Sequence, residues 1–197
     1  MHSEAMAHHH HDADSTDVFG FWLYIMTDCV LFGALFATFL VLHSGMAAMM
    51  APKIHYNLQG VIEETFLLLA SNFTYCLAFL SLYHNRLRMA QGWLIITFLF
   101  GLSFVVLEVR EFIKLAHEGF SWNLSGETSS FFTLVGTHGL HVSFGLLWIL
   151  VMIIQLPLLK SNIAMAKRRM TYLGLFWNFL DIVWIFVFTI VYLMGSI

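Results

Sequence analysis

The sequence predicts an all-α, polytopic membrane protein, a bundle of five transmembrane helices. Three observations predict it. The 197-residue chain is 59% hydrophobic and only 11% charged, against about 25% charged in a soluble domain, and its mean hydropathy is +0.79. Its apolar residues form five long runs, each of the length that crosses a hydrocarbon core of about 30 Å at about 1.5 Å per residue. The charged residues of the second and third runs crowd at one end, whereas Asp28 and Asp181 stand singly among apolar neighbours. Cys29 and Cys76 both fall in apolar runs and form no C-x-x-C pair, so neither a disulfide framework nor a zinc knuckle is indicated.

Residues 1–17 are polar and include His8, His9, His10 and His11. This stretch reads as a flexible tail on the cytoplasmic side, although a histidine run also binds transition metals loosely. It lacks the basic region of a cleavable signal peptide, so the first apolar run is expected to remain as an anchor. The five-helix domain is expected over 18–197, with helices at about 18–42, 61–83, 92–115, 131–159 and 170–194. The first is interrupted by Asp28. The second opens on Glu63 and Glu64, and the third ends in Glu108, Arg110, Glu111 and Lys114. The fourth holds His138 and His141 and meets Pro157 near its end, where a helix stops or kinks. The fifth carries Asp181 near its middle.

Five crossings place the termini on opposite sides. Arg86, Arg88, Lys160, Lys167, Arg168 and Arg169 lie on the side of the N-terminus, and Lys53, Arg110 and Lys114 lie opposite. The excess of Lys and Arg marks the cytoplasmic side, so the N-terminus is expected there and the C-terminus in the periplasm. Trp22 and Trp93 fit an interfacial aromatic belt. No nucleotide-binding loop, internal repeat or basic stripe suited to nucleic acid is present.

The ionisable groups at membrane depth are the candidate site, because such groups face a bundle interior or a wet cavity. His138 and His141, three residues apart, share a helix face. Gly136, Gly139 and Gly145 on the same helix offer close packing to a neighbour. Asp28, His141 and Asp181 fall at similar depth, so a contact between Asp181 and His141 is geometrically open. Glu64, Glu108 and His138 belong to the half nearer the far side, where a buried polar cluster is expected. Each has a plain structural reading: hydrogen-bonded histidines, carboxyls bonded to neighbouring helices, and interfacial solvated glutamates. A metal or haem site needs further ligands at the same level, and none is in place. The sulfur-rich stretch Met46–Met50 is read as an apolar linker rather than a copper site.

Four runs, GFWLYIMTDCVLFGALFATFLVL, ETFLLLASNFTYC, LVGTHGLHVSFGLLW and LFWNFLDIVWIFVFTIVYLMG, resemble subunit III of the haem-copper terminal oxidases. They occur in order, in four of the five spans. The span number and the FGFW entry resemble the ubiquinol oxidase branch of the cytochrome bo type. The resemblance implies an accessory, non-redox subunit of a proton-pumping enzyme of the aerobic respiratory chain, in the bacterial inner membrane. It implies that no cofactor or metal is bound by this chain, with haems and copper in the large catalytic partner. Subunits I, II and IV would be its partners, ubiquinol the substrate of the complex, and phospholipid a bound component. Asp28 falls where relatives carry a buried glutamate, and is the candidate for assisting proton entry. Glu64, Glu108, His138, His141 and Asp181 match family motif positions. Asn178 departs from the pattern W-H-F-x-D. The alternatives are subunit III of a bacterial cytochrome c oxidase, a small proton-conducting transporter or channel, and an independent membrane metal or haem protein.

Overall fold

The computed structural model describes residues 2–44, 58–117 and 126–193. The chain is helical in all three segments: α1 (His2–Ser44), α2 (Leu58–Tyr83), α3 (Leu87–His117), α4 (Gly126–Gln155) and α5 (Ile163–Val187), which runs on into a π-helical end at Phe188–Leu193. All five contain a stretch long and apolar enough to cross a membrane: Val18–His43, Gly60–Tyr83, Leu87–His117, Thr128–Gln155 and Ile163–Tyr192. The protein is a multi-pass membrane protein.

The helix ends differ from those the apolar runs mark, and each difference has a local cause. Backbone helix begins at His2, so the stretch 2–17 continues α1. It contains neither Gly nor Pro, and extending a formed helix fixes one residue per hydrogen bond gained. The turn between α2 and α3 is three residues long. Asn85 adopts φ 58°, a left-handed conformation that asparagine tolerates better than most residues, and Arg86 N donates to Ser81 O while Asn85 N donates to Leu82 O. This is the 6→1 and 5→2 pair that closes a helix in a Schellman turn. α4 stops at Gln155 rather than continuing to 159, because Pro157 disfavours helical backbone in the residue before it, and a 3₁₀ turn at Leu158–Ser161 follows. α5 starts at Ile163 rather than Met170: Asn162 caps it by accepting from Met165 N, and the basic Lys167, Arg168 and Arg169 lie within its helix. The Met46–Met50 stretch and the C-terminal Gly195–Ile197 lie outside the described residues.

α2 and α3 pack along each other as an antiparallel hairpin. α4 packs against α1, α3 and α5, and α5 also packs against α1 and α2. α5 is the central helix, with half of its most apolar window buried, against a third or less in the others. Trp177, Trp184 and Tyr192 on α5 are the largest fully buried side chains. The outward surface is apolar, with Phe19, Val30, Phe66, Phe73, Phe144 and Ile154 among its exposed residues, as a lipid-facing surface requires.

Candidate functional site

The ionisable side chains gather at two places inside the bundle. The first joins α1 to α4. His141 Nδ1 lies 2.7 Å from the carbonyl oxygen of Thr137; a carbonyl only accepts, so Nδ1 carries the hydrogen. His141 Nε2 then faces Asp28 Oδ1 at 3.8 Å. The separation is longer than a hydrogen bond, so the two side chains face each other without one. The His141 and Asp28 side chains keep 17% and 10% exposure, and Tyr24, one turn before Asp28, interacts with its carboxyl. Asp28 is buried, with Oδ2 lacking a hydrogen-bond partner, and His141 is half-buried.

The second place is acidic. Glu64 on α2 and Glu108 on α3 are buried, and with Glu111 they lie within electrostatic reach of one another. Glu108 extends to α4, where its carboxyl occupies the space over Gly139: a Cβ there would meet Glu108 Oε2 at 2.6 Å and Oε1 at 2.8 Å. Gly139 therefore makes room for a carboxyl, not for a neighbouring backbone. Glu64 Oε2 and Glu108 Oε1 are buried without a hydrogen-bond partner.

His138 and Asp181 are the remaining buried ionisable groups. His138 is fully buried and walled by rings: it stacks on Trp184 at 5.2 Å and 29°, and Phe104 and Phe32 meet it edge-on at 6.1 and 6.3 Å. Neither ring nitrogen has a hydrogen-bond partner. Asp181 is buried on α5 with both oxygens unpartnered. Asn72 on α2 is close enough to interact with it, without reaching hydrogen-bond geometry. The carboxyl facing His141 is thus Asp28 and not Asp181, because His141 turns toward α1 and Asp181 toward α2.

Of the four glycines on α4, Gly145 makes the tightest contact with a rigid group. A Cβ there would meet Trp177 Cζ3 at 2.8 Å and Cε3 at 3.0 Å, and a Cβ at Gly101 on α3 would meet Trp177 Cη2 and Cζ2 at 3.2 Å. The indole is held between two glycines. Gly136 has nothing within 4 Å, so the close approach expected there is not made within this chain. Sequence reasoning passed over Trp177, Gly101, Asn72 and Tyr75. Tyr75 crosses from α2 to donate to the carbonyl oxygen of Met170, its ring lying against Gly174. The available signal for three of them was their position inside the family-like runs, Asn72 and Tyr75 in ETFLLLASNFTYC and Trp177 in LFWNFLDIVWIFVFTIVYLMG; Gly101 lies in none of these.

Among the described residues, no three His, Cys, Asp or Glu side chains converge as a metal site would require. His138 and His141 project from the same helix and both pack against Phe32, so the imidazoles are not the pair from two facing helices that holds a membrane haem. Near the α1–α4 contact an apolar groove of about 390 Å³ is lined by Tyr24, Phe144, Leu147, Trp148, Val151 and Phe176.

Comparison with known proteins agrees with this architecture. The family model described as cytochrome c oxidase subunit III matches residues 1–196. The cytochrome bo(3) ubiquinol oxidase subunit 3 of Pseudomonas aeruginosa is 51% identical over 189 residues, covering 96% of this chain and 90% of that protein. The protein of the same name from Buchnera aphidicola subsp. Baizongia pistaciae is 46% identical over 186 residues, 93% of this chain and 94% of the relative. The quinol oxidase subunit 3 of Bacillus subtilis is 39% identical over 193 residues, 98% and 94% of the two chains. On a match that runs from end to end, the chain belongs to the cytochrome c oxidase subunit III family.

Proposed function

We propose that this chain is the accessory, non-redox subunit III of a proton-pumping quinol oxidase in the bacterial inner membrane, with its N-terminus cytoplasmic and its C-terminus periplasmic. The observation that carries the reading is the near-complete coverage by relatives whose names specify quinol as the electron donor. Ubiquinol is the substrate of the complex, subunits I, II and IV are the partners, and the haems and copper reside in the largest of them. This chain supports that subunit and holds phospholipid, for which the apolar groove beside Tyr24 and Trp148 offers an acyl-chain seat. The Asp28 and His141 pair, facing each other between α1 and α4, assists proton entry.

Purification from the native membrane tests the reading. The chain is expected to coelute with a larger haem-bearing subunit in a complex that consumes oxygen with ubiquinol, and to show no visible absorption band once separated. A complex that oxidises reduced cytochrome c and not quinol overturns the donor. Proton flux through vesicles holding this chain alone, or a redox centre coordinated wholly by it, overturns the accessory role.

A further inference from the structure

The exposed hydroxyls of the spans are almost all satisfied within their own helices. Thr38, Ser103, Thr133, Ser143, Thr171 and Thr189 each donate to the carbonyl oxygen four residues earlier, at 2.7 to 3.0 Å. This back-bonding lets a hydroxyl face lipid without an unpaired donor. Asn178 is different. It is exposed at the midpoint of the 30-residue span Ile163–Tyr192, and among the described residues it is the one exposed amide, hydroxyl or charged group deep in a span that has no partner. A carboxamide brings two N–H donors and a carbonyl acceptor, and hydrocarbon satisfies none of them. Its buried neighbours Trp177 and Asp181 do not draw it inward.

Asn178 does not stand alone. Leu175, Asn178, Ile182 and Ile185 follow one another at helical spacing, and Ile182 and Ile185 are 54% and 48% exposed. Asn178, Ile182 and Ile185 face outward and Leu175 at the end of the stripe is half-buried, on the helix that is otherwise the most enclosed in the bundle. Polar groups at membrane depth hold helices together by bonding across their interface. The stripe contains no Gly, Ala or Ser, so two copies of it facing each other lack the small residues that let two backbones close in. The residues on this side are knobs, which fit a partner of different sequence that offers small residues there.

We propose that the Leu175–Ile185 stripe of α5 is the face on which a transmembrane helix of another subunit docks, with the Asn178 amide bonded to a polar side chain or open carbonyl of that helix at mid-membrane. The proposal rests on the reading of the chain as one subunit of a membrane complex and adds the surface by which it is held.

The test uses the complex purified in mild detergent. Asn178→Leu keeps the shape and removes the bonds. It is expected to lower retention of the chain by roughly 3- to 30-fold in association constant, the range spanned by measured interhelical hydrogen bonds in membranes, while Asn178→Gln, which keeps an amide, recovers part of the loss. In a background where the exposed Cys29 and Cys76 are replaced by Ser, Asn178→Cys is expected to give a thiol cross-link to an engineered cysteine on a helix of another subunit. Full retention of Asn178→Leu, labelling of the Asn178→Cys thiol by a lipid-phase maleimide in the intact complex, or a cross-linked product of twice this chain's mass overturns the docking surface. A wild-type chain that purifies alone overturns the subunit reading itself, so the two failures are told apart before any variant is made.

Discussion

The indole of Trp177 gives the most exacting test of the packing. A methyl group on Gly145 would lie 2.8 Å from Cζ3 and 3.0 Å from Cε3 of that ring, and one on Gly101 would lie 3.2 Å from its Cη2 and Cζ2. Trp177 is 1% exposed and cannot rotate away as a flexible chain end would. Overpacking of this kind costs about 1–3 kcal/mol, but any Gly→Ala change within a helix also gains up to about 1 kcal/mol in helix propensity. Gly136 separates the two effects. It lies on the same helix with nothing within 4 Å, so Gly136→Ala carries the propensity gain without the clash, and the difference between the variants is the steric cost alone. At about 2–4 °C per kcal/mol for a chain of this size, Gly145→Ala is expected to unfold roughly 2–12 °C below Gly136→Ala. The assay follows a C-terminal tag on this chain through thermal precipitation of the detergent-solubilised complex. Adding Trp177→Phe to Gly145→Ala should recover part of the difference, because the smaller ring frees the space. Equal transition temperatures for the two alanine variants would refute the sandwich.

Tyr75→Phe removes the hydrogen bond to the Met170 carbonyl while leaving the ring against Gly174, and is expected to destabilise by about 0.5–1.5 kcal/mol in the same thermal assay; no loss would show that the hydroxyl is idle. Trp184 Nε1 donates to Thr65 Oγ1 at 3.1 Å, so Trp184→Phe and Thr65→Val should be non-additive by about 0.6 kcal/mol, the average for interhelical bonds in a membrane, and strict additivity would deny the bond. Asp28→Asn preserves shape and should leave assembly intact while slowing sustained turnover of the complex, and His141→Gln should slow it to the same extent with the double variant no worse than either alone. Turnover that stays at the wild-type rate across pH removes the pair from proton entry.

The five crossings were readable because each is a long apolar run, and a run of that length has few other uses. Their ends were less so: hydropathy marks where lipid begins, whereas the helix ends are set by the Asn85 turn, the Asn162 cap and Pro157. The buried groups could be named in advance but not paired. Depth alone allowed Asp181 to meet His141; which way α4 turns decided for Asp28 instead, and rotation about a helix axis depends on neighbouring elements. The glycines tell the same story. Gly136, Gly139 and Gly145 look alike in sequence, yet one faces open space, one a carboxyl and one an indole, because side chains from α3 and α5 choose among them. Asn178 was visible as a departure from a family pattern, but only its exposure gives that departure a physical meaning.

The link between α2 and α3 has a consequence for how the protein is made. Its three residues leave no slack, so the two segments are expected to enter the bilayer together as a hairpin. A long soluble insert spliced between His84 and Arg86 is expected to uncouple their insertion.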